Sequence, residues 1–269
     1  GRVIAERLGI DAATIEHRHG DTDMGLTGFA SVGSRSAMCA GAAIVATVDA
    51  VVTKGKKVAA GLLEASEGDI QFRNGAFEVV GTDRKVSLFE TARRGKELGE
   101  SLDSKEKAEA PLTFPNGCHI AEVEIDPDTG TVDIVTYTAV DDCGVALDTI
   151  VVEGQVQGSI ANGLGQALTE NAVYDPQSGQ LVSGSFMDYG MPHAHNMPLE
   201  LREAMHPTRA TTNPLGVKGT GEAGTTAAIA AVMNAIAHAI PNGAADHMEM
   251  PATPAKVWEA CQRGLAAAK

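Results

Sequence analysis

The order of apolar and polar positions predicts long Ala- and Gly-rich helices alternating with short strands. In GRVIAERLGI the apolar residues recur at helical spacing, and Gly9 stops the run. Ala13–His19 alternates briefly around Ile15 and predicts a short strand. Gly20–Arg35 has four glycines and no period, which predicts a long loop. From Ser36 to about Ser66 the spacing is helical, with an interruption expected at Lys54-Gly55. Asp69–Val80 alternates around Asn74-Gly75, a strong hairpin signal, and Ser87–Leu98 predicts a short amphipathic helix.

The stretch Lys105–Pro115 mixes charge with two prolines and marks the expected boundary between a first subdomain, 1–110, and a second, 111–269. Gly117–Ile125 and Thr131–Val140 read as Val/Ile/Thr-rich strands around the turn Asp126–Gly130. Thr149–Thr169 reads as a long helix carrying several glycines, and a further hairpin is expected around Asp175–Gly179. Asn213–Gly224 is a second Gly-rich loop. An Ala-rich helix, Thr225–Ile240, starts directly after it, and a last helix covers Pro254–Ala267. The fold class expected is α+β: two α/β subdomains with mixed sheets and no internal repeat.

Composition narrows the functions. The 269 residues carry 21 Lys+Arg against 35 Asp+Glu, a net charge of −14, so electrostatic binding to DNA or to an anionic membrane is excluded as the default. Aromatics are 4% and glycines number 30, which describes a core of small aliphatics and a backbone with many special turns. The four cysteines, Cys39, Cys118, Cys143 and Cys261, have neither zinc-site nor iron–sulfur spacing and read as reduced thiols of a cytoplasmic protein. No uninterrupted apolar run approaches the roughly 20 residues that cross a bilayer, and no basic-then-apolar leader opens the chain. GRVIAERL reads as the middle of a helix, so the chain is expected to begin inside a larger protein.

Two Gly-rich loops open helices, where free N–H groups and the positive end of the helix dipole can grip an anion. The first ends in Gly33-Ser34-Arg35-Ser36, whose hydroxyls and guanidinium suit a phosphate; an ordinary Ser cap with a surface Arg is the plainer reading of those residues alone. The second, Gly219-Thr220-Gly221-Glu222-Ala223-Gly224, matches G-x-G-x-x-G but lacks the buried strand that a dinucleotide fingerprint must follow. Glu222 stands out there: a carboxylate flanked by glycines is open to a substrate or a metal centre, although a solvated loop glutamate is the plainer reading. Asp141-Asp142, beside Cys143-Gly144, read as a polar strand exit rather than a metal site. His17, His19, His193 and His195 read as surface histidines.

Seven stretches, in order, carry a family resemblance: ERLGI followed by HGDTD, then GSRSAMCAGAA, LLEAS, DDCG, VEGQVQGSIANGLGQAL, GSFMDYGMP and NPLGVKGTGEAGT. Together they resemble the C-terminal part of the molybdenum-binding large subunit of the xanthine oxidase family. The nearest branch is the bacterial one that includes aerobic carbon monoxide dehydrogenases, isoquinoline and quinoline oxidoreductases and nicotinate dehydrogenases. The resemblance implies that Gly33, Ser34, Arg35 and Ser36 lie against a molybdopterin, in its cytosine dinucleotide form, with its molybdenum. It further implies that Gln155, in the helix with Gly158, lies near the dinucleotide, and that Lys218, Gly219 and Gly221 shape the cofactor side of the second loop. Glu222 becomes the general base of an oxidative hydroxylation of a small substrate. Iron–sulfur clusters and FAD are implied on partner subunits. The N-terminal part of the molybdenum subunit is implied to complete the site, so that this chain is inactive without it.

Two other readings belong to different classes. One is a structural fragment or assembly subunit that keeps the fold without metal; the other is a nicotinamide-binding dehydrogenase acting through GTGEAG. A proteolysed or expressed fragment, a naturally split subunit and a truncated gene product each account for the abrupt start.

Overall fold

Gly9, left-handed at φ 62°, ends the first helix, α1 (Arg2–Leu8), in a computed structural model that describes residues 1–25, 28 and 30–267. The chain forms two units, Gly1–Leu112 with Thr211–Leu215, and Thr113–Ala210 with Gly216–Lys269. Leu26, Thr27 and Phe29 of the loop expected over Gly20–Arg35 lie outside the described residues.

In the first unit, α2 (Ser36–Leu62) packs with an antiparallel sheet of β1 (Ile70–Arg73), β2 (Ala76–Val79) and β3 (Lys85–Ser87), followed by α3 (Leu88–Glu97). Asn74 and Gly75 make the predicted hairpin turn, with φ of 46° and 75°. Leu8, Val48, Val58, Ile70, Phe77 and Leu88 form the core. The interruption expected at Lys54-Gly55 does not occur. Gly55 is where the Phe77 ring lies on the helix, and a Cβ there would stand 2.1 Å from the ring's Cζ. α2 is long and apolar enough to cross a bilayer by length and composition, with a mean hydropathy of 1.7 over a window that is 28% buried. Ala13–His19 is not a strand. Asp11 instead accepts from the Ala13 N–H (2.9 Å) to cap a single 3-10 turn, Ala12–Thr14. One apolar residue, Ile15, has too little to bury to hold an extended segment against a sheet.

The second unit contains β4 (Asn116–Ile125), β5 (Val132–Asp142), α4 (Thr149–Leu168), β6 (Glu200–Met205), α5 (Ala223–Ala239) and α6 (Pro254–Ala266). β5 pairs antiparallel with β4 and parallel with β6. β6, sequence ELREAM, escapes prediction because it has no β-branched residue; its place comes from pairing with β5. Tyr137 and Ala139 of the sheet, Val156, Ile160 and Leu164 of α4, Ala228, Val232 and Ile236 of α5, and Val257 of α6 form one apolar cluster. Full burial of each large aliphatic side chain there contributes about 1.5–3 kcal/mol.

A polar chain runs through this core. His119 bridges Tyr137 and Asp141: Nδ1 is 2.9 Å from the phenol oxygen and Nε2 is 3.1 Å from Asp141 Oδ2, with the His119 and Asp141 side chains nearly inaccessible. Donation from the phenol to Nδ1 and from Nε2–H to the carboxylate satisfies all three groups. Burial, reinforced by the Asp141 carboxylate, pushes the Tyr137 phenol far up, so it stays a donor. On β6, burial likewise pushes the Glu203 carboxyl up, and the negative charges of Glu153 and Asp141 add to the effect. Replacing His119 by Phe keeps a ring in place but strands a buried carboxylate and the Tyr137 hydroxyl. A loss of about 3–5 kcal/mol in urea-induced unfolding is expected, partly recovered in the His119→Phe/Asp141→Asn double variant.

Candidate functional site

Helices α4 and α5 meet where side chains are smallest. Asp148 caps α4 by accepting from the N–H groups of Ile150 (3.1 Å) and Val151 (3.3 Å). At Gly224, in the first turn of α5, a Cβ would lie 2.3 Å from Ser159 Oγ and 2.7 Å from the Val156 carbonyl oxygen. The glycine therefore lets α5 start against α4. Its N–H donates to Ser159 Oγ (3.0 Å), and the Thr225 hydroxyl donates to the Ser159 carbonyl (2.8 Å). Glu222 occupies the N-cap position (φ −111°, ψ −2°) without a cap bond from its side chain.

A concavity of about 690 Å³ opens along this seam, lined by Gly154, Gln155, Gly158, Ser159, Asn162, Gly221, Glu222, Thr225 and Thr226. Of the residues predicted to serve the site, the structure brings Gln155, Gly221 and Glu222 to it. Ser159, Asn162 and Thr225 were not foreseen. The signal was present in the spacing of 154, 155, 158, 159 and 162, which puts all five on one helical face.

Lys218 faces elsewhere: its Nζ is 2.6 Å from Asp142 Oδ2, and both side chains are 11% exposed. Asp142 Oδ1 accepts from the N–H groups of Gly144 (2.8 Å) and Thr208 (2.8 Å). Burial pushes this carboxyl up, but the bonds from Lys218, Thr208 and Gly144 outweigh it and hold the group at about 2. Asp141 and Asp142 stand at the end of β5, the polar strand exit expected, and both are buried and bonded. Gly219, next in the loop, is buried.

In the first unit, Gly33 and Ser34 are both left-handed (φ 61° and 54°). A serine held there costs of order 1–3 kcal/mol, strain that clusters at functional sites. Arg35 is the N-cap of α2 without a side-chain cap bond, and the hydroxyls of Ser31 and Ser36 touch. The histidine pairs are exposed, their ring centroids 5.0 Å apart for His17–His19 and 5.5 Å for His193–His195. Among the described residues no group of three or more His, Cys, Asp or Glu could hold a metal.

Residues 2–198 match the family described as the molybdopterin cofactor-binding domain. The chain belongs to this family. The chain is 34% identical over 270 residues to the 6-hydroxypseudooxynicotine dehydrogenase complex subunit gamma of Paenarthrobacter nicotinovorans, covering 97% of this chain and 34% of that one. To the carbon monoxide dehydrogenase large chain of Hydrogenophaga pseudoflava it is 31% identical, covering 96% and 33%. The crystal structure of the carbon monoxide-reduced Cu,Mo-CO dehydrogenase superimposes with a TM-score of 0.86 at 30% identity, covering 97% of this chain and 34% of that one. The chain therefore spans about one third of the length of these relatives.

Two outcomes follow for it. The Asp142 carboxyl lies below its ordinary value of 3.8 in the folded state. Its contribution is then complete above that value and is lost as pH falls toward about 2. Stability measured by denaturant titration between pH 5 and pH 2 is expected to fall by about 2 kcal/mol more in the natural chain than in Asp142→Asn. Gly224→Ala, which drives a methyl into the Val156 carbonyl and Ser159, is expected to cost about 1–3 kcal/mol and to lower the thermal midpoint.

Proposed function

We propose that this chain is the cofactor-holding part of a molybdenum hydroxylase large subunit and that Glu222 is its general base. The observation that carries the reading is a carboxylate at the lip of a concavity whose other lining residues are glycines, amides and hydroxyls. A Cβ on Gly154 or Gly158 would meet no atom within 4 Å, so this face of α4 lies open to a flat ligand. The lining contains no Lys or Arg. A phosphate-bearing pterin fits such a donor set when backbone N–H groups at a helix start and neutral side chains do the holding, as befits an acidic chain.

When bound, the molybdenum centre supplies the two-electron redox chemistry. Gln155 and Asn162 orient the ligand through their amides, while Gly221 lets the backbone approach it. Lys218 and Gly219 hold the loop that ends in Glu222, and Gly33, Ser34, Arg35 and Ser36 are assigned to cofactor binding. Glu222 would accept a proton on its carboxylate during the hydroxylation. It then retains that proton until product leaves. General-base catalysis of this kind contributes roughly 10²–10⁴-fold.

The same reading assigns the cytosine dinucleotide form of the cofactor and places iron–sulfur and flavin centres on partner subunits. It also has the rest of the molybdenum subunit complete the site, without which this chain is inactive. The relatives' names, subunit gamma of a complex and large chain, support a multi-subunit setting. Four free cysteines support a reducing, cytoplasmic location. The burial of Val48, Val58 and Ala59 in the first unit's core supports α2 as a helix packed along one face on that core rather than a membrane span.

In the assembled enzyme, Glu222→Gln is expected to retain molybdenum and lose turnover by roughly 10²-fold or more. Turnover within tenfold of the natural enzyme removes Glu222 from the mechanism. A lone, metal-free chain on metal analysis and intact-mass measurement of the purified material would favour the structural-fragment alternative.

A further inference from the structure

We infer that Asp142 is a positioning residue for Glu222: it tethers the loop that carries the carboxylate without itself reaching the concavity. The inference rests on the reading of Glu222 as the base. Asp142 ends β5 and does not line the cavity. Its carboxylate gathers three donors from separate stretches of chain, Gly144 N–H, Thr208 N–H and Lys218 Nζ.

The backbone beside it reinforces the tether. The Lys218 N–H donates to the Cys143 carbonyl (2.8 Å), and the Val145 N–H donates to the Gly216 carbonyl (2.9 Å). Gly144 and Gly216 are left-handed (φ 65° and 73°), and a Cβ on Gly144 would lie 2.4 Å from the Gly216 oxygen. Only glycine lets the two segments lie this close. The Cys143 thiol donates to the Gly144 carbonyl (3.6 Å). The DDCG and GVK motifs, far apart in sequence, thus form one hydrogen-bonded unit.

Lys218 is fixed on one side of Glu222, and Gly224 is fixed to Ser159 on the other. Between them the chain is too short to place the carboxylate independently of its ends. With so little exposure, the Asp142–Lys218 pair is the part of this tether whose loss leaves an uncompensated charge. A catalytic group displaced by about 1 Å can lose roughly 10²-fold in rate.

The test uses the assembled holoenzyme carrying Asp142→Asn, Lys218→Met or Lys218→Arg, with molybdenum content, steady-state kinetics and amide hydrogen exchange read on each. Asp142→Asn and Lys218→Met are expected to keep molybdenum and KM within about twofold, lower kcat by roughly ten- to a hundredfold, and speed exchange in peptides spanning 216–222. Lys218→Arg, which retains the pair, is expected to stay near the natural values. If Asp142→Asn fails to assemble, Lys218→Met carries the test, because it leaves both backbone bonds to Asp142 in place. Unchanged exchange at 216–222, or a natural kcat in Lys218→Met, overturns the tether. Faster exchange in an enzyme whose Glu222→Gln variant remains active upholds the tether and overturns the base.

Discussion

Two helices carry side chains on every turn, and the distance between them is set by whichever side chains meet. In the second unit α4 and α5 meet at Gly163 and Gly224, where an added Cβ would lie 2.8 Å from the Ala228 methyl and 2.3 Å from Ser159 Oγ, respectively. The first turn of α5 therefore lies against the backbone of α4, and the orphan N–H of Gly224 finds the Ser159 hydroxyl instead of water. Everything at the candidate site inherits this contact. Glu222 comes one residue before the helix, so its place is set by where the helix can start. The concavity exists because the same face of α4 goes on presenting glycines, Gly154 and Gly158, beyond the contact.

The end of β5 solves a second problem, that of two adjacent carboxylates out of water. Successive side chains on a strand point to opposite faces. Asp141 meets His119 on one face, and Asp142 meets Lys218 on the other. Each charge has its own partner, so neither relies on the other's surroundings. The cost of desolvating Asp142 is offset by three donors, which is why its carboxyl lies low despite burial. A net charge of −14 and a polar cavity lined without cations are compatible on the same ground. The one lysine of the loop is engaged with a carboxylate.

Much of the second unit was legible from residue order. α4, α5, α6 and the β4–β5 pair fall close to their expected limits, because each has both a clear period and a clear stop: Asp148 before α4, and Asp126 to Gly130 between the strands. Prediction failed where a segment's own preference is weak or contrary. β6 is written in Glu, Leu, Arg, Ala and Met, and it is a strand only because β5 offers an unpaired edge. Ala13–His19 alternates as a strand would, yet a local Asp11 cap and a single apolar residue settle it as a turn. Gly55 looked like a helix break and is the position that admits an aromatic ring.

Read alone, the sequence determined which residues can do chemistry: an acidic chain without metal-ligand spacing, two glycine loops that open helices, and one glutamate left without bulky neighbours. Those properties are local, set by residue type and by separations of a few positions, and folding does not alter them. The tertiary structure decided which of these residues work together. It joined Gln155 to Glu222 across a helix seam, turned Lys218 away from the cavity onto Asp142, and made the DDCG stretch the anchor of a loop that follows it by more than sixty residues. These pairings depend on close packing and on partners for buried charge. Both are set by distances between segments remote in sequence, and no pattern along the chain encodes them.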